Sequence, residues 1–209
     1  MFRRVNPGKT PNQPLEYAMK FASFALAAAL FASPALAAPE KFVLDASHSQ
    51  IVFSYDHLGF STTYGMFSGF NGEIMFDAEA PASSTVTVSF PVRSMMTGWE
   101  ERFQHFMSAD IFNAADDTSM VTFTSTAIEV TGENTANITG DLTMNGVTKP
   151  VTIATVMNKA DNHPMANKPW MGFTGTTTVL RSDFNVGLFA PAVSDEVKIT
   201  LSIEAAKAE

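Results

Sequence analysis

Apolar and polar residues alternate with period two along most of the chain beyond residue 48. Ile51, Phe53 and Tyr55 alternate with Val52, Ser54 and Asp56; Gly72, Ile74 and Phe76 alternate with Glu73 and Met75; Val197, Ile199, Leu201 and Ile203 alternate with Lys198, Thr200, Ser202 and Glu204. Successive side chains of a strand point to opposite faces, so this pattern predicts strands with one buried and one wet face. Residues 85–90, 121–130, 135–144, 147–157 and 173–180 read the same way. Within 121–130 the apolar parity switches from Val121 and Phe123 to Ile128 and Val130, which predicts a bulge near Thr126.

Turn chemistry connects these segments. Asn145-Gly146 lies between two alternating runs, and both residues tolerate positive φ, which predicts a two-residue hairpin. That hairpin places Ile138, Gly140, Leu142 and Met144 on one face with Val147, Lys149, Val151 and Ile153. Lys149 is the one charged member, expected at a barrel end with its ammonium in water. Residues 161–169 read as a loop, with Pro164 and Pro169 as breakers. One segment departs from period two: Trp99, Phe103, Phe106, Met107 and Ile111 recur at helical spacing. An amphipathic helix is expected within about 97–113, opened by a capping box of Thr97 and Glu100 and laid over one end of a barrel.

The first residues belong to a different kind of segment. Met19-Lys20 precedes an apolar run over 21–31 and then Ala35-Leu36-Ala37, the pattern of an export signal cleaved between Ala37 and Ala38. The run is too short for a membrane span, which needs roughly 20 apolar residues. Residues 1–37 are therefore expected to be a leader, with Met19 as its start, and 38–209 the mature domain. Removing the leader takes away Arg3, Arg4, Lys9, Lys20 and Glu16, and the net charge moves from −8 to −11. Such an acidic, exported domain is a poor partner for nucleic acid. The chain has no cysteine, which excludes a disulfide framework and a lipid anchor on cysteine.

Candidate chemistry is sparse. His48 and His57, placed on one continuous strand, would point to opposite faces, while His105 falls in the helix and His163 in a loop, so no metal site is expected. Asp45, Ser47 and His48 make a Ser-His-Asp set on paper, but strand geometry would separate them. Arg181 and Asp183 would share a face of an extended segment, as an ion pair or a set of hydrogen bonds closing a barrel. Asp45 and Asp141 read as turn or strand-end acceptors. Asn137-Ile138-Thr139 matches a glycosylation sequon, an accident of a strand interior. Against this, 18 Phe and 12 Met supply much adaptable apolar surface, which either fills a core or lines a cavity.

Three segments together resemble the YceI-like family of periplasmic proteins that bind polyisoprenoids and related lipids. They are 48–77, with His48-Ser49, His57-Leu58-Gly59, Gly65, Phe67 and Gly72; 140–153, with Gly140-Asp141-Leu142-Thr143 and Gly146-Val147-Thr148-Lys149; and Arg181-Ser182-Asp183-Phe184. Arg102, His105 and Phe106 lie where the family shows an Arg-Asp-x-His-Leu stretch, with Phe103 in place of the acidic residue. The resemblance implies an all-β fold, an extended lipocalin-like eight-stranded antiparallel β-barrel with one inserted helix. It implies a soluble periplasmic protein that carries or stores a long-chain apolar lipid such as a polyisoprenoid, an isoprenoid quinone or a fatty amide. The expected cavity residues are Phe53, Phe67, Phe70, Ile74, Phe123, Leu142 and Phe173, with Phe103, Phe106 and Met107 as a gate. No catalytic residue, cofactor or metal is expected, nor stable insertion into a membrane; a homodimer is left open. Two alternatives share the export signal or the apolar interior. One is a small outer-membrane barrel, against which the helix and the polar stretch 205–209 argue. The other is a hydrolase or isomerase acting on a lipid-like substrate with His57 or His105 as base.

Overall fold

The computed structural model describes residues 38–209. The leader and its cleavage site lie outside the described residues. Ten strand segments form one antiparallel sheet: β1 (Glu40–Leu44), β2 (Gln50–His57), β3 (Ser61–Phe67), β4 (Asn71–Phe76), β5 (Thr85–Pro91), β6 (Met120–Gly132), β7 (Thr135–Met144), β8 (Val147–Asn162), β9 (Pro169–Leu180) and β10 (Glu196–Lys207). One helix, α1 (Glu100–Met107), stands between β5 and β6.

The ten segments occupy eight positions of a closed barrel. β1 and β2 both pair with β10, at Phe42 with Lys207 and at Ile51 with Leu201, so they are one strand broken at residues 45–49. β3 and β4 pair with β2 and β1 respectively and are one strand broken at 68–70. Counted this way the chain is an up-and-down meander that closes where β1 meets β10. The ring closes through β1, which pairs with both β4 and β10, while β3 pairs with β2 alone and meets only an isolated bridge, Met66 to Met96, on its outer side.

Each break has a local cause. Asp45 accepts hydrogen bonds from the Ser47 backbone N–H at 3.0 Å and the Ser47 hydroxyl at 2.7 Å, an Asx turn that takes the chain out of the ladder. Gly69, at φ 69°, bends the second break and turns Phe70 into the core, where it is 3% exposed. The expected bulge is present: pairing of β6 with β7 shifts between Ser125 and Ala127, around Thr126. The Asn145-Gly146 hairpin also forms, with both residues at positive φ and Met144 facing Val147.

Four expectations about boundaries give way. The helix is eight residues long, because Ser108 breaks it with extended backbone. No capping box forms: Thr97 Oγ1 donates to the Trp99 carbonyl at 2.7 Å, so Trp99 occupies the cap position without a side-chain cap. The polar stretch from Ala205 is not a tail. β10 runs through it to Lys207, Ala205 is fully buried, and Lys207 Nζ donates to Glu40 Oε1 at 2.6 Å. Likewise β8 reaches Asn162, which shortens the expected 161–169 loop from its N-terminal side.

Candidate functional site

The inward faces of the strands enclose a cavity of about 730 Å³. Period two decides its wall. Val151, Ile153 and Met157 of β8 and Val197, Ile199, Leu201 and Ile203 of β10 line it, while Lys198, Thr200 and Ser202 stay on the other face. The charged lining residues belong to the two ends of the barrel. Glu101 and Arg102 of α1 and Arg181 after β9 are at one end, and Glu133 in the β6–β7 turn is at the other. Between the ends the wall is mainly aliphatic and aromatic, with Thr155 and Thr177 as uncharged polar members.

Glycine shapes this interior at two points. A Cβ on Gly175 would lie 2.5 Å from Leu201 Cδ1 and 2.9 Å from Ile153 Cγ2. A Cβ on Gly140 would strike the Phe123 ring and the Thr124 carbonyl oxygen. Both residues let bulkier neighbours cross the barrel without forcing the strands apart.

Eight of the ten residues expected at the cavity are on its wall: Phe53, Phe67, Phe70, Ile74, Phe106, Phe123, Leu142 and Phe173. Phe103 and Met107 are not. They sit four residues apart on one stripe of α1, whereas Arg102 and Phe106 form the adjacent stripe that faces the cavity. Phe103 packs beneath the Arg93 guanidinium, 5.2 Å from ring centroid to Cζ, and Met107 is 5% exposed within the core. The helical apolar pattern could not separate these stripes, since each presents an apolar aromatic turned away from bulk solvent. Phe106 meets Tyr55 of β2 edge to face at 6.3 Å, which seats α1 over the end of the barrel.

Pattern reading missed several wall residues, among them Tyr55, Trp99 and Phe189. Tyr55 was legible from its parity with Phe53. Trp99 and Phe189 lie outside any strand period and reach the mouth only through tertiary placement.

Arg181 organises this same end, though not with the predicted neighbour. Its Nε donates to the Ser194 carbonyl at 2.8 Å, Nη1 to the Val186 and Leu188 carbonyls at 3.0 Å each, and Nη2 to the Val193 carbonyl at 2.8 Å. Burial pushes the guanidinium pKa down, while Asp195 opposes the shift. One side chain thereby ties down the 182–195 segment that carries Phe189. Asp183 turns away on a short 3₁₀ turn (Ser182–Phe184) and pairs instead with Lys149 Nζ at 3.5 Å, both of them well exposed.

The Asp45, Ser47 and His48 side chains do converge, contrary to the strand geometry expected. His48 lies in the break between β1 and β2 rather than on a strand, so His48 Nδ1 reaches Asp45 Oδ2 at 2.6 Å and Ser47 Oγ at 3.0 Å. Both contacts use the same ring nitrogen. A nucleophile-activating histidine needs one nitrogen for the hydroxyl and the other for the carboxylate, so the arrangement is a turn clamp. It lies in the break of the barrel wall, and neither Asp45 nor His48 contributes to the cavity lining. Glu204 stands near the pair, held by the Trp170 indole N–H at 2.8 Å.

His57 and His105 both line the cavity mouth, and the His105 ring lies 6.2 Å from that of Phe189. Asp141 is exposed within β7 rather than at a strand end.

Sequence and structure comparisons agree with this architecture. A "UPF0312 protein" of Ectopseudomonas mendocina (strain ymp) is 40% identical over 183 residues, covering 88% of this chain and 95% of that protein. The crystal structure of Burkholderia cenocepacia BcnA superposes with a TM-score of 0.68 at 26% identity, covering 77% of this chain and 98% of that one. A polyisoprenoid binding domain from Saccharophagus degradans, at 13% identity, shares the fold with a TM-score of 0.58, covering 80% of this chain and 98% of that one. The YceI-like domain matches residues 42–205, nearly the whole barrel, and on that match the chain belongs to the YceI-like family.

Proposed function

We propose that this protein is a soluble periplasmic carrier that sequesters one long-chain apolar lipid, a polyisoprenoid, an isoprenoid quinone or a fatty amide, in the barrel. The observation that carries the reading is the cavity of about 730 Å³ with a mainly aliphatic and aromatic wall and charge only at its ends. Polyisoprenoid binding by the Saccharophagus domain, which shares the fold, accords with it. An apolar tail gains about 0.8 kcal/mol per buried CH₂, so ten methylenes contribute roughly 8 kcal/mol before the entropy of association is subtracted. That driving force is non-directional and selects a class of ligand by length and girth more than by headgroup.

The polarity of the two barrel faces favours this reading over a membrane-embedded barrel. A barrel in the outer membrane presents an apolar band to lipid and a polar lumen. Here the lumen is apolar, and the outward β10 positions Lys198, Thr200, Ser202 and Glu204 are polar. Among the described residues no helix is long and apolar enough to cross a membrane. The periplasmic location rests on the leader pattern, and an N-terminal residue at Ala38 in protein recovered from periplasm checks it.

The carrier needs no chemistry of its own. Arg181 is committed to four carbonyls, and the Asp45, Ser47 and His48 set lies outside the cavity lining. The test is native mass spectrometry of detergent-free protein followed by organic extraction. One lipid per barrel is expected, and Leu142→Trp, which fills the lumen, should lower that stoichiometry while leaving the circular dichroism intact. A lipid-free mass that incubation with isoprenoids does not change would sink the proposal. Turnover of an extracted lipid, abolished in His57→Ala or His105→Ala, would favour the enzyme alternative.

A further inference from the structure

Four apolar side chains stand exposed around the mouth formed by the β2–β3 hairpin, α1 and the 182–195 segment. Phe60 is 90% exposed, Phe189 61%, Trp99 59% and Leu58 49%. Their backbones are joined: the Leu58 N–H donates to the Ala192 carbonyl at 3.2 Å, and His57 bridges Val193. Trp99 immediately precedes α1, and Phe189 lies against its His105. Trp99 and Phe189 also line the cavity, so the apolar rim continues the apolar interior.

The backbone supplies a second, independent observation. Among the described residues six non-glycine positions have positive φ, and four of them are Asn, which tolerates it. The other two are Leu58 at φ 59° and Phe189 at φ 66°, both on this rim. The β2–β3 turn, Leu58-Gly59 at 59° and 75°, has nearly the φ values of the β7–β8 turn, Asn145-Gly146 at 50° and 74°. At one hairpin the chain uses the residue such a turn prefers; at the other it places a large apolar side chain and holds it half in water. Backbone strain of this kind clusters at functional sites such as ligand clamps and switch regions.

The geometry points to the rim as a membrane-docking surface: Leu58, Phe60, Trp99 and Phe189 enter the headgroup boundary of a bilayer and bring the cavity mouth against the lipid phase. The inference rests on the carrier reading. Cargo crossing such a contact moves between two apolar phases without exposing its tail to water. Charge chooses the bilayer. The mouth carries Asp56, Glu101 and Asp195 beside Arg102 and Arg181, whose guanidinium is spent on backbone carbonyls, with no basic cluster. The chain is −8 overall and more acidic without its leader, so anionic lipid offers no attraction and a zwitterionic surface is the fitting partner. A second copy of the chain fits less well. Four such side chains present about 500 Å² together, against the roughly 800 Å² per partner of a stable interface.

Sedimentation with vesicles of phosphatidylcholine alone tests the inference. The purified protein should co-sediment, with little dependence on salt, and Trp99 emission should shift to the blue when read in a Trp170→Phe background. The double variant L58N/F60S should lose about tenfold in vesicle binding while keeping its extractable lipid and its circular dichroism. Should the turn itself be disturbed, Phe60→Ser alone keeps the test readable. Lipid-loaded protein that ignores these vesicles, needs anionic lipid, or dimerises through Phe60 overturns the docking inference and leaves the carrier reading intact. Protein that binds the vesicles through the rim but yields no lipid overturns the carrier reading and leaves docking supported.

Discussion

At the scale of single residues, Leu58 separates stability from contact. A left-handed backbone costs an L-residue with a bulky side chain roughly 1–2 kcal/mol, and Asn is among the residues that relieve this. Leu58→Asn should therefore raise stability by about 1 kcal/mol in urea unfolding, although it weakens the rim. Arg181 behaves in the opposite way. Removing its four bonds to carbonyls in Arg181→Met should cost about 2–4 kcal/mol and loosen the segment bearing Phe189, measured as a lower urea midpoint. The Asp45–His48 pair adds a pH dependence. The hydrogen bond to Asp45, and then its charge, hold the His48 pKa above the ordinary imidazole value. Burial alone would raise the Asp45 pKa, but hydrogen bonds from His48 and Ser47 outweigh it and leave the carboxyl below its usual range. A raised histidine stabilises fully below the unfolded value of about 6.5 and stops contributing as pH climbs through the folded value; the lowered aspartate contributes above about 4 and is lost as pH falls through its folded value. The clamp is therefore complete between about pH 4 and 6.5. NMR titration of His48 should show a midpoint above 6.5 that Asp45→Asn brings back down.

Elements were legible in proportion to how regular their period is. β10 shows uninterrupted alternation and β8 shows it over residues 151–153, and their inward faces could be read from the pattern. Further on, β8 turns Thr155 inward and Val156 outward and shifts register after Met157. β1 and β3 were not identified. β1 is five residues long, and β3 is rich in Ser, Thr and Gly with few apolar positions to betray a face. The Thr126 bulge and the Asn145-Gly146 turn were both visible, because each leaves a local mark: a parity switch, and a dipeptide that tolerates positive φ. The helix cap was misread because Thr97 found a nearer backbone partner in Trp99. Close strand packing also yields a prediction that pattern alone could not. A Cβ on Gly72 would strike the Thr87 carbonyl oxygen and lie 3.0 Å from Val88 Cα, both on the neighbouring backbone. Gly72→Ala should push β4 from β5 and cost about 1–3 kcal/mol, read as a lower thermal midpoint.

For the whole molecule the balance between packed core and open lumen governs behaviour. Among the described residues, twenty-one apolar residues are buried, but the barrel still encloses about 730 Å³, the space that the proposed cargo would fill. A ligand present at a hundred times its dissociation constant stabilises the fold by about 2.7 kcal/mol. Stripping lipid by organic extraction and refolding should lower the thermal midpoint by several degrees, and adding back a long-chain isoprenoid should restore it.

The amino-acid sequence alone determined the all-β class, the alternation that sorts each regular strand into two faces, the sharpest turn and the resemblance to the YceI-like family. These depend on neighbours within a few residues, where φ preference and period are written directly in residue type. Tertiary structure alone decided that the first two barrel strands each break in the middle and that Phe106 faces the lumen while Phe103 and Met107 do not. It also decided that Arg181 serves the carbonyls of a following loop instead of Asp183, and that Leu58, Phe60, Trp99 and Phe189 meet at one mouth. Those outcomes arise from contacts between residues up to 167 positions apart, as in the bond from Lys207 to Glu40. Side-chain periodicity carries no record of contacts across such distances.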